Sequence, residues 1–289
     1  MYERGARRWL VLALFLGPSL LGVLLFVAGP IVASLALAFT SWDLLTPPTF
    51  AGLRNFERLS RDLEFWAALR HTVTFLAGYV PLVLVTGLAV AVALNGRVPA
   101  RGAFRAIFFL PVVTSWVAVA LVWKWLLNPQ FGLVNAWLAQ LGVRGPAWLF
   151  DPGWAMPSVI MTSVWKDTGF VMVILLAGLQ AIPREYFEAA AIDGASRWQQ
   201  LRHVTVPLLA PAIFFALTIS LINSFQVFDQ VYVMTGGGPA GATTVLVERI
   251  VKQAFSFSRM GYASAMSWVL FVLIFATTFA FSRLQRRWS

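Results

Sequence analysis

The chain contains no cysteine. Disulfides, thiol chemistry and thiolate metal sites are thereby excluded, although the absence says little about compartment. Histidine is nearly as scarce, with His71 at the edge of an apolar run and His203 in a polar loop. Two separated histidines do not make the ligand set of a metal hydrolase. A serine hydrolase would need a base beside its nucleophile and the glycines of a nucleophile elbow, and neither pattern is present. The only lysines are Lys124, Lys166 and Lys252, and none ends the Gly-x-x-x-x-Gly-Lys-Ser/Thr loop that grips a nucleotide phosphate. The chain is therefore read as a non-enzyme that carries no cofactor. Charge is sparse overall, at 12% of residues against about a quarter in soluble domains.

Apolar sequence takes the place of charge. Of 289 residues 59% are hydrophobic, and the mean hydropathy is +0.76, which marks an integral membrane protein. A net charge of +10 invites nucleic acid as a partner, but the positive residues fall in short clusters beside apolar runs. Charges placed that way set membrane orientation, so no nucleic acid is expected. A span needs about twenty mostly apolar residues. Six candidates follow, at about 10–39, 69–94, 104–127, 155–179, 207–234 and 264–281. The expected fold is all-α, one transmembrane domain of about six helices over 1–289. The first run is long enough for a tilted span, or a span with an interfacial extension, and Pro18 and Pro30 are expected to bend or delimit it. Arg4, Arg7 and Arg8 before it, and Ala36-Leu37-Ala38 within it, imitate a signal peptide, yet a signal's apolar core runs only about 7–15 residues.

Six spans place both termini on one side. Arg97, Arg101, Arg105, Arg184, Arg197 and Arg202 join the terminal arginines on that side and dominate its short loops. The positive-inside rule then puts both termini, and the 184–206 loop, in the cytoplasm. Two longer segments, 40–68 and 235–263, fall outside. The second opens with Gly236-Gly237-Gly238-Pro239, a run that breaks regular structure.

The 184–206 loop is the polar interruption in this apolar sequence. Pro183 suits the first position of a helix. Glu185 and Glu188 favour the positive end of that helix's dipole. Gly194 supplies the freedom to turn, and Ser196 with Gln199 fits a capping box for a second short helix. Pro207 then opens the next span. A helix–turn–helix tied to spans at both ends is a poor DNA reader. An amphipathic connector lying on lipid is the plainer alternative, against which stand Glu188 and Asp193, ill placed near anionic headgroups.

Glu188-Ala189-Ala190, Asp193-Gly194-Ala195, Val206-Pro207 and Pro211 closely resemble the EAA loop of ABC importer permeases. Ser163-Val164-Trp165-Lys166, the segments 178–183 and 228–239, Phe108-Phe109-Leu110-Pro111 and 131–135 resemble the carbohydrate-uptake branch, and the likeness runs from about Leu10 to the C-terminus. His203 and Val206 stand where many members carry other residues. The resemblance implies a cytoplasmic coupling helix that docks on an ATPase subunit, with Glu188, Ala189, Ala190, Asp193, Gly194 and Pro207 at or near the contact. It further implies a second homologous permease, an ATPase dimer holding ATP and Mg, an extracytoplasmic solute-binding protein, a sugar substrate, and a place in the cell (inner) membrane of a bacterium or archaeon.

Polar groups inside spans are costly and default to function. Ser220, Asn223 and Ser224 lie at helical spacing on one side of the fifth span, with Gln226 and Gln230 displaced around it. Such amides and hydroxyls match a sugar's hydroxyls, and Phe225 and Phe228 offer faces for stacking. Interhelical hydrogen bonding is the alternative for Ser220 and Asn223. Lys166 in the fourth span faces a pore or a partner permease, or marks a helix break with Asp167. These residues are the pathway candidates. A glycerol-phosphate or polyol importer is a close variant. A gradient-driven carrier using Asp167 or Asp229 is the rival of a different class.

Overall fold

The computed structural model describes residues 6–96 and 98–285, with side chains within 10–96 and 98–283. Arg4, Arg97, Arg286, Arg287 and Trp288, and the side chains of Arg7, Arg8 and Trp9, lie outside the described residues.

The chain opens with α1 (Ala6–Val23), which passes through a π-helical turn (Leu24–Ala28) into α2 (Gly29–Ala38). A two-residue hairpin, β1 (Thr40–Ser41) with β2 (Thr49–Phe50), precedes α3 (Arg54–Arg61). Then follow α4 (Leu63–Asn95), α5 (Arg101–Val113), α6 (Trp116–Leu126), α7 (Leu133–Gln140) and α8 (Pro152–Ala181). The polar loop forms α9 (Arg184–Ile192), α10 (Arg197–Gln200), a π turn (Leu201–Thr205) and α11 (Val206–Leu208). Helices α12 (Ala210–Phe225), α13 (Asp229–Met234), α14 (Leu246–Val251) and α15 (Met260–Gln285) complete the described residues.

Among the described residues four helices are long and apolar enough to cross a membrane: 10–38, 63–95, 152–181 and 260–283. Two bent pairs bring the number to six, in line with the expected all-α membrane fold. The bends are where expectation and structure differ. The expected span 104–127 is two helices at 98°, broken at Thr114 and Ser115 in extended backbone. Pro111 has already removed one donor from the last turn of α5. The expected span 207–234 is broken twice. Residues 197–208 meet α12 at 70°, and a second break at 226–228 separates α12 from α13. Pro207 thus sits inside the incoming helix, and the crossing helix opens at Ala210 with Pro211 in its first turn.

The first run departs in the other direction. It stays a single helix past Pro18 and Pro30. A proline ring clashes with the carbonyl four residues back, which for Pro30 is Phe26, inside the π turn. The wider turn accommodates the ring without a break. Pro207 repeats the device, since the residue four before it is His203, inside the second π turn.

Two compact units are distinguished, one of Met1–Asp62 with Ile250–Phe271, the other of Leu63–Arg249 with Val272–Ser289. In the first, the apolar face of 10–38 is exposed, Phe15 and Phe26 strongly so, as suits a helix solvated by lipid. Asn55 Nδ2 donates to the carbonyls of Ala38 and Thr40 at 2.9 and 2.8 Å and closes the hairpin onto the end of α2. Tyr262 Oη donates to Asp62 at 2.6 Å, while Arg58 lies 4.7 Å over the Tyr262 ring. The hairpin loop is held by Asp43, whose carboxylate accepts from the Thr46 and Leu45 N–H groups and the Thr46 hydroxyl. Those donors, Thr46 N–H first, hold its pKa below the ordinary 3.8. A depressed carboxyl contributes its stability above the ordinary value and loses it as pH falls through the lower, folded-state value. The loop is expected to loosen only below about pH 3.8, measurable as faster amide exchange at Thr46.

The second unit is built on α4 against α8, with α5, α12, α13 and α6 around them. Its core includes Phe75, Val83, Leu127, Met172, Leu175 and Leu209. α8 is the central helix, and two thirds of its most apolar stretch is buried, against none for 10–38. Gly169 allows the close approach of α5 to α8. A Cβ there would lie 2.0 Å from the Phe108 carbonyl oxygen.

Candidate functional site

Two features of the second unit carry polar chemistry, a cleft among α4, α6, α8 and α12–α13, and the α9–α11 loop. The cleft forms because α12 stops at Phe225. Gln226 caps it, Val227 is buried, and Phe228 takes an irregular conformation (φ −147°, ψ −64°) before α13 begins. Irregular backbone at membrane depth is tolerated where it lines a cavity or is buried in protein. Here the cavity has a volume of about 250 Å³. α12–α13 supply Asn223, Gln226, Phe228 and Asp229, and the facing helices supply Phe75, Tyr79, Trp116 and Asp167.

Tyr79 Oη donates to Asp167 Oδ2 at 2.8 Å, and the Phe75 and Tyr79 rings stack 5.2 Å apart. Gln230 is largely buried and turns its Nε2 to Ser163 Oγ at 3.4 Å. The lining therefore holds amides, two carboxylates and aromatic faces, and neither lysine nor arginine. Removing the Tyr79 hydroxyl (Tyr79→Phe) takes from Asp167 a bond worth about 1.5–3 kcal/mol. The thermal midpoint of the purified protein is expected to fall, and Tyr79→Phe/Asp167→Asn to fall no further.

The structure divides the sequence candidates. Asn223 and Gln226, three residues apart, are both exposed into the cleft. Ser220 and Ser224, four apart on the neighbouring stripe, are buried, and Ser224 Oγ donates to the Leu221 carbonyl at 2.8 Å. Lys166 does not line the cleft either. Its ammonium donates to the Val112 carbonyl at 3.1 Å and stands 4.9 Å over the Trp116 ring. Val112 is in the last turn of α5, where carbonyls lack helical partners, and Trp116 opens α6. Lys166 thus spans the 98° bend from the side of α8. Lys124 repeats the arrangement, donating from α6 to the Val233 carbonyl in the last turn of α13 at 3.2 Å. Both lysines cap helix ends at breaks. Tyr79, Trp116 and Asp167 come from three other helices, and sequence spacing could not join them to Asn223.

The loop is ordered by its caps. Pro183 stands at the N-cap of α9, one position before the helix, and Glu185 lies in the first turn. At the other end Ala195 N donates to Ala190 O at 2.9 Å and Gly194 N to Ala191 O at 3.1 Å. That bond pair is a Schellman motif, and it requires left-handed backbone at Gly194, whose φ is +77°. The expected capping box is present, with Ser196 N donating to Gln199 Oε1 at 2.7 Å and Gln199 N to Ser196 Oγ at 3.4 Å. Glu188, Ala189, Asp193 and Gly194 are exposed, and Ala190 is half-buried. In the same loop, Ile192 is 87% and Trp198 69% exposed. Large apolar groups displayed beside acids mark a protein contact better than a lipid one. Ile192 carries no polar signal, and sequence reasoning passed over it.

Known proteins share this architecture. Residues 83–289 match the family described as binding-protein-dependent transport system inner membrane component. The probable ABC transporter permease protein YesP of Bacillus subtilis is 38% identical over 95% of this chain and 90% of its own length. The trehalose/maltose transport system permease protein MalF of Thermococcus litoralis is 37% identical over 93% and 91%. A crystal structure of a bacterial alginate ABC transporter, in complex with alginate pentasaccharide-bound periplasmic protein, superposes with a TM-score of 0.84 at 26% identity, covering 97% of this chain and 95% of that one. With the family match over most of its length, the chain belongs to the inner-membrane permease components of binding-protein-dependent ABC transporters.

Proposed function

We propose that this chain is the membrane-crossing permease of an ATP-driven importer for a neutral sugar or oligosaccharide, working by alternating access. The observation that carries the substrate class is the lining of the cleft. A sugar offers many hydroxyls, each wanting a donor or acceptor. Asn223 and Gln226 supply both, and Asp167 and Asp229 accept. Trp116 and Phe228 offer apolar faces to its C–H groups. The same carboxylates, with no cation among the lining residues, oppose glycerol phosphate or an acidic sugar. The relative named for trehalose and maltose supports a sugar. The alginate importer handles an acidic polymer, and on this reading the two part in charge preference within a shared fold.

In this account α9 docks on a cytoplasmic ATPase dimer that binds ATP and Mg. Glu188, Ala189, Ala190, Asp193 and Gly194 form the contact, and Pro207 steers the chain from it into α12. A second homologous permease completes the pore, and a solute-binding protein delivers sugar from outside, as the periplasmic protein in the alginate complex supports. Both termini and the 184–206 loop then lie in the cytoplasm. A gradient-driven carrier would use Asp167 or Asp229 for protons and would leave the exposed Ile192–Asp193–Gly194 corner without a purpose.

The test is uptake of a neutral oligosaccharide by cells carrying the transporter. One lost hydrogen bond is worth about 0.5–1.5 kcal/mol, so Asn223→Ala and Gln226→Ala are each expected to raise half-saturation about 2–13-fold. Ser220→Ala and Ser224→Ala, which lie off the cleft, should leave it within about two-fold. Equal effects of all four would remove the cleft from the pathway.

A further inference from the structure

Lys166 is 3% exposed, a cation almost wholly buried in the middle of α8. A cation inside a membrane helix is costly and marks a functional position by default. Its sequence neighbour does not answer it, because the Asp167 carboxylate accepts from Tyr79 of α4. Lys166 turns instead to the Val112 carbonyl and the Trp116 ring. A helix cap needs only the carbonyl. The ring is left to be explained, and Trp116 lines the cleft whereas Lys166 does not.

Trp116 opens α6 directly after the extended backbone of Thr114 and Ser115, and the Ser115 side chain makes no capping bond. The first turn of a helix lacks intrahelical partners for its N–H groups, so local structure alone holds this ring weakly. Lys166, reaching across from α8, supplies the missing hold at 4.9 Å from the ring centre. The other aromatic residues of the cleft are less open to a ligand. Phe75 and Tyr79 are buried against each other, and Phe228 stacks on Tyr232 at 5.1 Å. Trp116 is therefore the larger of the two cleft rings that are not buried. Adjacent residues of α8 thus fix two walls of one cleft, Asp167 through Tyr79 and Lys166 through Trp116.

We propose that Lys166 is a positioning residue for sugar binding, fixing Trp116 as the stacking platform of the cleft without itself touching the sugar. It sets affinity through that ring. The proposal rests on the cleft being the sugar's path.

The test is a double-mutant cycle read by uptake of a neutral oligosaccharide in cells carrying the transporter. Lys166→Met keeps most of the side chain's length and removes the cation. It is expected to raise half-saturation about five-fold, with the maximal rate per transporter held within about two-fold. Trp116→Leu should raise half-saturation about ten-fold. Because Lys166 acts through the ring, the double variant should match Trp116→Leu alone to within about two-fold. Lys166→Arg, whose guanidinium also donates to carbonyls and stacks on rings, should recover most of the affinity. Multiplied effects, about fifty-fold in the double variant, would mean that Lys166 acts independently of Trp116 and would overturn the proposal. Asn223→Ala, measured alongside, separates this inference from the reading beneath it. If Asn223→Ala raises half-saturation and Lys166→Met does not, the positioning role alone falls. If neither does, the cleft is off the pathway and the positioning role falls with it. Should Lys166→Met fail to assemble, fluorine NMR of the complex labelled with fluorotryptophan decides. The Trp116 resonance, identified by its loss in Trp116→Phe, should shift and saturate with oligosaccharide, and Lys166→Arg should move it before sugar is added. A resonance indifferent to either change overturns the proposal.

Discussion

Replacing Gly194 with valine is expected to cut ATP-driven uptake about ten-fold or more while leaving the membrane helices folded. Gly194 sits at φ +77° with nothing within 4 Å of an added Cβ, so space is not the obstacle. The obstacle is the backbone, because left-handed conformation costs an L-residue about 1–2 kcal/mol, and a β-branched one more. That energy is taken from the Schellman turn that closes α9 on Ala190 and Ala191. Without it Asp193 and Ile192 lose their fixed direction, and on the proposed function the loop no longer presents one surface to the ATPase. Asparagine tolerates this conformation better than other side chains. Gly194→Asn should therefore restore most of the uptake, a recovery that a contact needing the bare glycine surface would not give. ATP hydrolysis by the purified complex should become independent of added substrate in the valine variant, and uptake and hydrolysis measured side by side check this.

The second large effect lies in the membrane. Gly169→Val should prevent assembly of a stable permease. Its Cβ would lie 2.0 Å from Phe108 O, 2.7 Å from Phe108 C and 3.0 Å from Phe109 Cα. These are backbone atoms and cannot rotate away, so α5 must shift as a whole. Overpacking commonly costs about 1–3 kcal/mol, and a backbone collision belongs at or beyond the upper end. The shift also reaches the cleft, since α5 ends at the Val112 carbonyl that Lys166 holds beside Trp116. Gly102→Val is the control, for a Cβ at Gly102 meets nothing within 4 Å. Size-exclusion profiles of the detergent-extracted complex should show the Gly169 variant aggregated or absent and the Gly102 variant intact. A monodisperse Gly169→Val complex would mean that α5 does not cross α8 at this distance.

Hydropathy made the class of fold legible, because twenty or more apolar residues in water have no other resting place. The long helices at 63–95, 152–181 and 260–285 need only that signal. The caps of the 184–206 loop were legible too, since Gly194, Ser196 and Gln199 act on their own backbone. The bend at Thr114 was not. Apolar residues flank it on both sides, and hydropathy averages over a break that costs it nothing. Prolines misled in both directions. Pro30 sits in an unbroken helix because a π turn absorbs it, a feature of packing that leaves no mark in composition.

The cleft illustrates the same limit. Helical spacing grouped Ser220, Asn223 and Ser224, yet periodicity gives relative direction and not which stripe a neighbour covers. α12 buries the serines and opens Asn223 and Gln226 to the cleft. Lys166 is buried, and its partners lie far off in the sequence. They are a carbonyl and a ring belonging to helices more than forty residues earlier in the chain, which no local pattern reveals.

The measurement that tests the central claim most directly is recovery of partners. The chain is tagged in its native cells, extracted gently, and its co-purifying proteins are identified by mass spectrometry, with Glu188→Arg, a charge reversal on the proposed contact, in parallel. The account predicts an ATPase and a second permease with the wild type, and loss of the ATPase alone with the variant. A chain recovered by itself or as a homo-oligomer would contradict it, and would return the carboxylates Asp167 and Asp229 to consideration as carriers of a gradient's protons.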